Sequence, residues 1–403
     1  MTPSRPRLGR VAAVGVLAAV SVVAALVGTP VAAAPVTGQI RYAGNATAVP
    51  DSYIVVLTDA AVGGRAATRQ AAVRGTARNL ASRYGANLGR VYDSALNGFS
   101  VTLSEPAARR LAADPAVAYV EQDRTVSATA TQINPPWGLD RIDQRGLPLD
   151  GTYRYTTTGG GVTAYIIDTG IRITHVEFAG RAGYGYNAID GSSVADDCNG
   201  HGTHVAGIVG GKTYGVAKGV RLVAVRVLDC AGSGTTAGVI AGVDWVTRDH
   251  RPGQPAVANM SLGGGRSTAL DSAVANSIAS GVTYAVAAGS SNDDACRYSP
   301  PAVSTAIRVG ATQSNDARAS FSNWGACVDL YAPGVNIPSA WHSGDTVANV
   351  LSGTSMAAPH VAGGAARVLQ TNPAWTPAQV KSYLIGTATP VGVILLLYLD
   401  PAA

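Results

Sequence analysis

Charge is scarce in this chain: Asp, Glu, Lys and Arg make up 14% of 403 residues, and aromatics only 6%, with three Phe. Acidic or basic runs long enough to solvate a disordered tail are absent, and so are internal repeats and low-complexity linkers. The net charge of +5 is unevenly placed. Residues 1–129 carry 13 Lys and Arg against 7 Asp and Glu, whereas 130–403 carry 17 against 18. Basicity therefore belongs to the leading third, and nothing in the remainder points to nucleic acid or steers a charged partner. Cysteine is limited to four, all after residue 129: Cys198, Cys230, Cys296 and Cys327. An even count suits disulfides in an exported protein, but four cysteines allow three connectivities.

What is present begins with a leader. Arg5, Arg7 and Arg10 precede an apolar stretch from Val11 to Val27, followed by Val31-Ala-Ala33-Ala34 and Pro35. This reads as a secretory signal over 1–34 cut after Ala33 or Ala34, so that the remainder is extracellular and free of the membrane. Residues 51–124 form a separate small α+β module. Its alternating strands fall at Tyr53–Leu57, Gly98–Leu103 and Val117–Glu121, with Arg- and Ala-rich helical runs between them. The 274 residues from 130 to 403, rich in Gly and poor in charge, suit one large α/β domain.

Three segments in the order Asp, His, Ser carry the chemistry. Ala164-Tyr-Ile-Ile-Asp168-Thr-Gly170 ends an apolar strand on a carboxylate, where open α/β sheets place their sites. Asp168 could be a turn residue alone, or half of an aspartic dyad, but no second Asp-Thr-Gly or Asp-Ser-Gly exists to complete a dyad. Asn199-Gly-His201-Gly-Thr-His204-Val-Ala-Gly207 opens a buried helix, its glycines permitting close backbone approach. Zinc held by His201 and His204 would need the Glu of a His-Glu-x-x-His motif, which is missing. His204 and His360 read as packed structural histidines. Ser352-Gly-Thr-Ser355-Met-Ala-Ala-Pro-His360 puts Ser355 at a helix N-terminus, with Pro359 expected in the first turn. A serine there can simply cap the helix; it can also direct unpaired N–H groups toward a developing oxyanion. A serine hydroxyl needs an imidazole to take its proton and a carboxylate to orient the ring, and all three are here. The chain order differs from Ser-Asp-His in α/β-hydrolases and from His-Asp-Ser in chymotrypsin.

With these motifs, residues 130–390 resemble a subtilase of the proteinase K type, most closely the secreted aqualysin branch. The resemblance implies a three-layer α/β fold with a mostly parallel seven-stranded sheet, and an autoprocessed serine endopeptidase with Asp168, His201 and Ser355 as its triad. Val257-Ala-Asn-Met-Ser261-Leu-Gly-Gly-Gly265 and Tyr284-Ala-Val-Ala-Ala-Gly289 resemble the walls of the primary specificity pocket, and Leu228-Asp-Cys-Ala-Gly232-Ser-Gly234 resembles the edge that pairs with substrate backbone. Gly232, Ser233, Gly234, Ser261, Leu262, Gly263, Ala287, Ala288 and Gly289 are thus the expected substrate contacts. No acid stands in the two pocket walls, which favours apolar residues before the cleaved bond. One position departs: where the family carries an oxyanion-hole asparagine, this chain has Ser290.

The resemblance also pairs Cys198 with Cys230 and Cys296 with Cys327, and casts 35–129 as an inhibitory propeptide with its junction at Val126–Thr129. It implies structural calcium on Asp140, Asp143 and Gln144, and a second ion on Asp329 with backbone oxygens near Ser304 and Ala306. For Asp140 and Asp143, a solvated acidic helix end is the plainer reading. The chain should act as a monomer on proteins or peptides, with its propeptide as intramolecular partner. At the carboxyl end, Thr376 and Pro377 open a helix, and Val391–Leu399 reads as one buried closing strand. A degenerate subtilase retained for binding, and an esterase, are the competing readings.

Overall fold

The computed structural model describes residues 37–44, 48–63, 66–124 and 130–401. The leader and the expected junction at 126–129 lie outside these residues. The chain divides into two compact units, 1–123 and 124–403.

The first unit is a five-stranded sheet in the order Ile40–Arg41, Val117–Arg124, Ala48–Leu57, Gly98–Thr102, Asn87–Tyr92. Alternation decides its faces: Tyr53, Val55 and Leu57 are buried while their neighbours are not, as the two-residue strand period requires. The helix Ala66–Tyr84 supplies Val73, Ala77 and Leu80 to the same core at helical spacing, and Glu105–Leu111 adds Ala108 and Leu111. The sheet has two more strands than the three expected, both at its edges. Asn87-Leu-Gly-Arg-Val-Tyr92 is half polar and lacks the apolar alternation that marked the others.

In the second unit a nine-stranded sheet runs in the order Thr389–Val391, Ile394–Leu396, Leu330–Pro333, Ile307–Thr312, Thr283–Ala287, Ala256–Met260, Thr163–Asp168, Arg221–Arg226, Ala182–Asn187. The last seven of these are the expected parallel strands. The central runs, such as Thr163–Asp168, Ala256–Met260 and Thr283–Ala287, are buried on both faces, as a parallel sheet demands, whereas the edge strand Ala182–Asn187 is mostly only half-buried. Ala164 and Ile166 point into one core with the helices His201–Gly210 and Thr354–Thr371; Tyr165 and Ile167 point into the other with Thr236–Asp249 and Thr268–Ala279. Three layers result, with Asp168 at a strand's carboxyl end.

The closing strand expected over 391–399 is instead a hairpin. Thr389–Val391 pairs antiparallel with Ile394–Leu396 across a two-residue turn, where Gly392 takes φ +57° and Val393 is fully exposed. Leu397 and Leu399 then enter the core, their N–H groups bonding Tyr331 and Ile142 carbonyls. Among the described residues no helix is long and apolar enough to cross a membrane.

Candidate active site

Asp168 is fully buried at the end of its strand. Its Oδ1 accepts the Thr169 N–H at 2.8 Å and meets His201 Nδ1 at 2.7 Å, while Oδ2 is buried without a partner among the described residues. The imidazole stands at the first residue of the helix His201–Gly210, and the first-turn N–H groups that a helix leaves unpaired are all taken up. Asn199 Oδ1 receives the His201 N–H, Thr169 Oγ1 that of Gly202, Asp197 Oδ2 that of Thr203 and the Gly200 carbonyl that of His204, at 2.8–3.2 Å. Gly200 lies at φ +111°, a left-handed conformation suited to glycine. A Cβ on Gly202 would stand 2.2 Å from the Gly170 carbonyl, so only glycine lets the helix seat this closely against the Asp168 turn.

Asp197 was not singled out in the sequence, yet it organises this corner. Buried, it accepts Thr169 Oγ1, Asn199 N and Gly200 N on Oδ1, and Thr203 N and Oγ1 on Oδ2. The available signal was an Asp four residues before His201, followed by Asn-Gly, a turn-and-cap pattern. For His201, burial works against the charged ring, but Asp168 and, behind it, Asp197 outweigh this and raise its pKa above the usual value.

Ser355 is the second residue of Thr354–Thr371, with its Oγ donating to the Ser261 carbonyl at 3.1 Å. Pro359 lies in the second turn of that helix, not the first. Having no N–H, it leaves the carbonyl four residues back, that of Ser355, without its helical donor. Ser261 Oγ fills the gap at 2.7 Å and is itself held by Asn259 Nδ2 at 2.9 Å. The interior proline is therefore accommodated by a side chain from the neighbouring strand's end, which fixes the serine's backbone.

His201, Gly232, Ser233, Gly234, Ser261, Leu262 and Gly263 line one cleft of 580 Å³ whose lining, among the described residues, contains no Asp, Glu, Lys or Arg. Ala287, Ala288 and Gly289 are not among its lining residues. Ala287 and Ala288 are buried, and the Gly289 N–H is bound by Thr354 Oγ1 at 3.1 Å. A larger cavity of 650 Å³, near His250 and Trp375, carries none of the triad candidates. Ser290 is exposed beside the serine helix, its Oγ accepting the Thr354 N–H and lying 3.1 Å from Thr354 Oγ1. Both expected disulfides are present, Cys198–Cys230 and Cys296–Cys327, with Cα separations of 4.9 and 5.1 Å. The first ties the segment before His201 to the Gly232 edge. His204 and His360 are buried against backbone carbonyls and pushed down to about 4 by burial, so both are neutral packing groups.

Among the described residues no group of three or more His, Cys, Asp or Glu side chains converges to hold a metal. Asp140 accepts the Asp150 and Gly151 N–H groups, and Gln144 Oε1 accepts that of Asp150. Asp143 Oδ2 accepts the Arg154 N–H, but its Oδ1 is buried without a partner among the described residues, and burial with the neighbouring Asp150 and Asp140 charges pushes its pKa up to about 6. That orphaned oxygen suits a hard cation. Asp329 does not. Burial works against its charge, but Arg308 and Lys381 hold it ionised with a lowered pKa, and both its oxygens are already occupied.

A strand-end carboxylate bonded to a helix-start imidazole that lines an uncharged cleft, with a serine at a second helix start bonded to the carbonyl of the cleft residue Ser261, is an arrangement of the serine-hydrolase class. The Subtilase family model matches residues 159–398 and the Peptidase inhibitor I9 model matches 52–129. The chain belongs to the subtilase family of serine proteases, preceded by an I9-type propeptide domain. It is 60% identical to an extracellular serine proteinase of Thermus sp. (strain Rt41A), over 76% of this chain and 74% of that one. It is 54% identical to alkaline serine exoprotease A of Vibrio alginolyticus, over 77% of this chain but only 58% of the relative. The crystal structure of a cold adapted subtilisin-like serine proteinase matches with TM-score 0.64 at 56% identity, covering 66% of this chain and 98% of that one.

Replacing Ser261 by Ala orphans the Ser355 carbonyl and should cost about 1–3 kcal/mol by urea unfolding. Pro359→Ala restores a helical N–H to that carbonyl, so the double variant should lose less than the sum of the two, by about 1 kcal/mol or more. Additive losses would show that the serine does not compensate for the proline.

Proposed function

We propose that this chain is an exported, autoprocessed endopeptidase in which Ser355 is the nucleophile, His201 the general base and acid, and Asp168 the orienting carboxylate. The observation that carries the reading is the 2.7 Å contact between His201 Nδ1 and Asp168 Oδ1 in a ring that lines the cleft. For attack, the Ser355 hydroxyl swings from the Ser261 carbonyl to His201 Nε2. The imidazole takes its proton as Oγ bonds the peptide carbonyl carbon, then passes it to the leaving amine, and Asp168 stays ionised throughout. Water repeats the sequence on the acyl-enzyme. The uncharged cleft and the glycines at 232, 234 and 263 suit an extended, apolar peptide backbone added as a strand. The I9-type domain is read as the intramolecular inhibitor, cut off after folding. The leader and the extracellular names of relatives support secretion.

Oxyanion stabilisation falls to the Ser355 N–H at the helix start and, weakly, to Ser290. The Ser290 hydroxyl already engages Thr354, which favours one second reading: a subtilase whose turnover has decayed and which is kept for binding. A fluorophosphonate probe separates the two. The protease reading requires labelling of the full chain that is lost in Ser355→Ala, together with accumulation of uncleaved precursor; absence of labelling at Ser355 rejects it.

Ser290→Asn supplies an amide donor. In subtilisin, a member of the same family, losing such a donor costs roughly 10² to 10³ in kcat, and turnover of this chain on casein should rise strongly toward that borrowed factor. An unchanged kcat would remove position 290 from the oxyanion hole.

We also assign structural calcium to the loop of Asp140, Asp143 and Gln144, through the free Asp143 oxygen. With its pKa raised to about 6, Asp143 binds its proton more tightly in the folded chain than in the unfolded one, so stability falls as pH rises through about 4 to 6. Calcium offsets that loss only where the carboxylate is ionised. The Tm of Ser355→Ala protein should therefore rise with CaCl₂ at pH 8 and hardly at pH 4, and Asp143→Asn should abolish the rise. A calcium response indifferent to Asp143→Asn would place the ion elsewhere.

A further inference from the structure

The carboxyl-terminal helix Pro377–Thr387 starts in a fixed position, because Thr376 and Gln379 exchange side-chain and backbone hydrogen bonds in a capping box. One turn on, Lys381 extends to the starts of the Ile307–Thr312 and Leu330–Pro333 strands. Its ammonium lies 2.7 Å from the Ser304 carbonyl, 2.7 Å from the Ala306 carbonyl and 2.8 Å from Asp329 Oδ2. An ammonium has three N–H donors, and here three oxygens receive them.

Asp329 is engaged through both oxygens. Arg308 gives its backbone N–H and Nε to Oδ2 at 2.9 Å each and its Nη2 to Oδ1 at 2.6 Å; Lys381 is the fourth donor. Three of the four donors fall on Oδ2 and one on Oδ1, so both oxygens are engaged by fixed cations. The ion-paired side chains are largely buried, 16% exposed for Lys381 and 10% for Asp329, so neither charge is relieved by water. A calcium ion, which takes six to eight oxygens, would have to evict the ammonium and would still face the Arg308 guanidinium across one carboxylate.

We propose that the Lys381 ammonium is the permanent cation of this three-oxygen cage, and that the Asp329 locus takes no calcium in this protein. The lysine does covalently what a bound ion would do by affinity: it joins the 304–306 loop, the start of the Leu330–Pro333 strand and the carboxyl-terminal helix. That junction persists whatever the calcium concentration, and it does not depend on the chain's being an active protease.

The test uses the full chain carrying Ser355→Ala, which prevents self-digestion. The difference in Tm between CaCl₂ and EDTA, and the number of calcium ions bound by equilibrium dialysis, should be the same with and without Asp329→Asn. Lys381→Met, which keeps most of the stem but removes the ammonium, should lower Tm by roughly 4–10 °C in EDTA, as expected for losing a buried set of charge-assisted hydrogen bonds. Loss of one bound calcium in Asp329→Asn overturns the proposal, as does a Lys381→Met chain as stable in EDTA as its parent.

Discussion

The contact between Asp168 and His201 depends on how a helix begins. A wholly buried carboxylate with one oxygen unpartnered is costly, and the imidazole is what its other oxygen is aimed at. The ring's place follows from how the first turn of its helix is tied down: Thr169 caps Gly202 and bonds Asp197, while Asp197 gathers five donors from residues 169 to 203. The same capping that satisfies the helix thus sets the ring's position. Two carboxylates near one imidazole also set its electrostatics, favouring the protonated ring that forms when serine gives up its proton.

The serine side is built differently. An interior proline removes a backbone donor, and the structure answers with a hydroxyl from the end of the next strand. Ser261 and Ser355 hold each other twice, side chain to backbone in both directions. The Cys198–Cys230 bridge links the histidine's approach segment to the Gly232 edge of the cleft. Three remote parts of the chain are joined by short, local constraints.

What was legible in the sequence was local. The strand that ends at Asp168 announced itself as an apolar run while the rest of the parallel sheet came from resemblance, and Asp168, His201 and Ser355 stood at strand and helix ends that their neighbours marked with Gly and Thr. The carboxyl-terminal hairpin was missed because Val391 to Leu399 reads as an unbroken apolar run, in which Gly392 alone signals the turn. The edge strand Asn87–Tyr92 was missed for want of apolar alternation. Pro359 looked like a first-turn residue because its compensating donor lies 94 positions away from the carbonyl it serves. Lys381, 52 residues from Asp329 and 77 from Ser304, could not be read as a cation for that site, since only folding brings a charge to oxygens so far along the chain. Resemblance pointed to calcium there, and the side chains present point to an ammonium.

The most direct measurement is proton NMR of the exchangeable imidazole protons. A strongly downfield His201 Nδ1–H resonance is expected, vanishing in Asp168→Ala and titrating with a midpoint above the ordinary histidine value. A spectrum without that resonance, or one in which it survives loss of the Asp168 carboxylate, would contradict the claim that this buried pair orients the base.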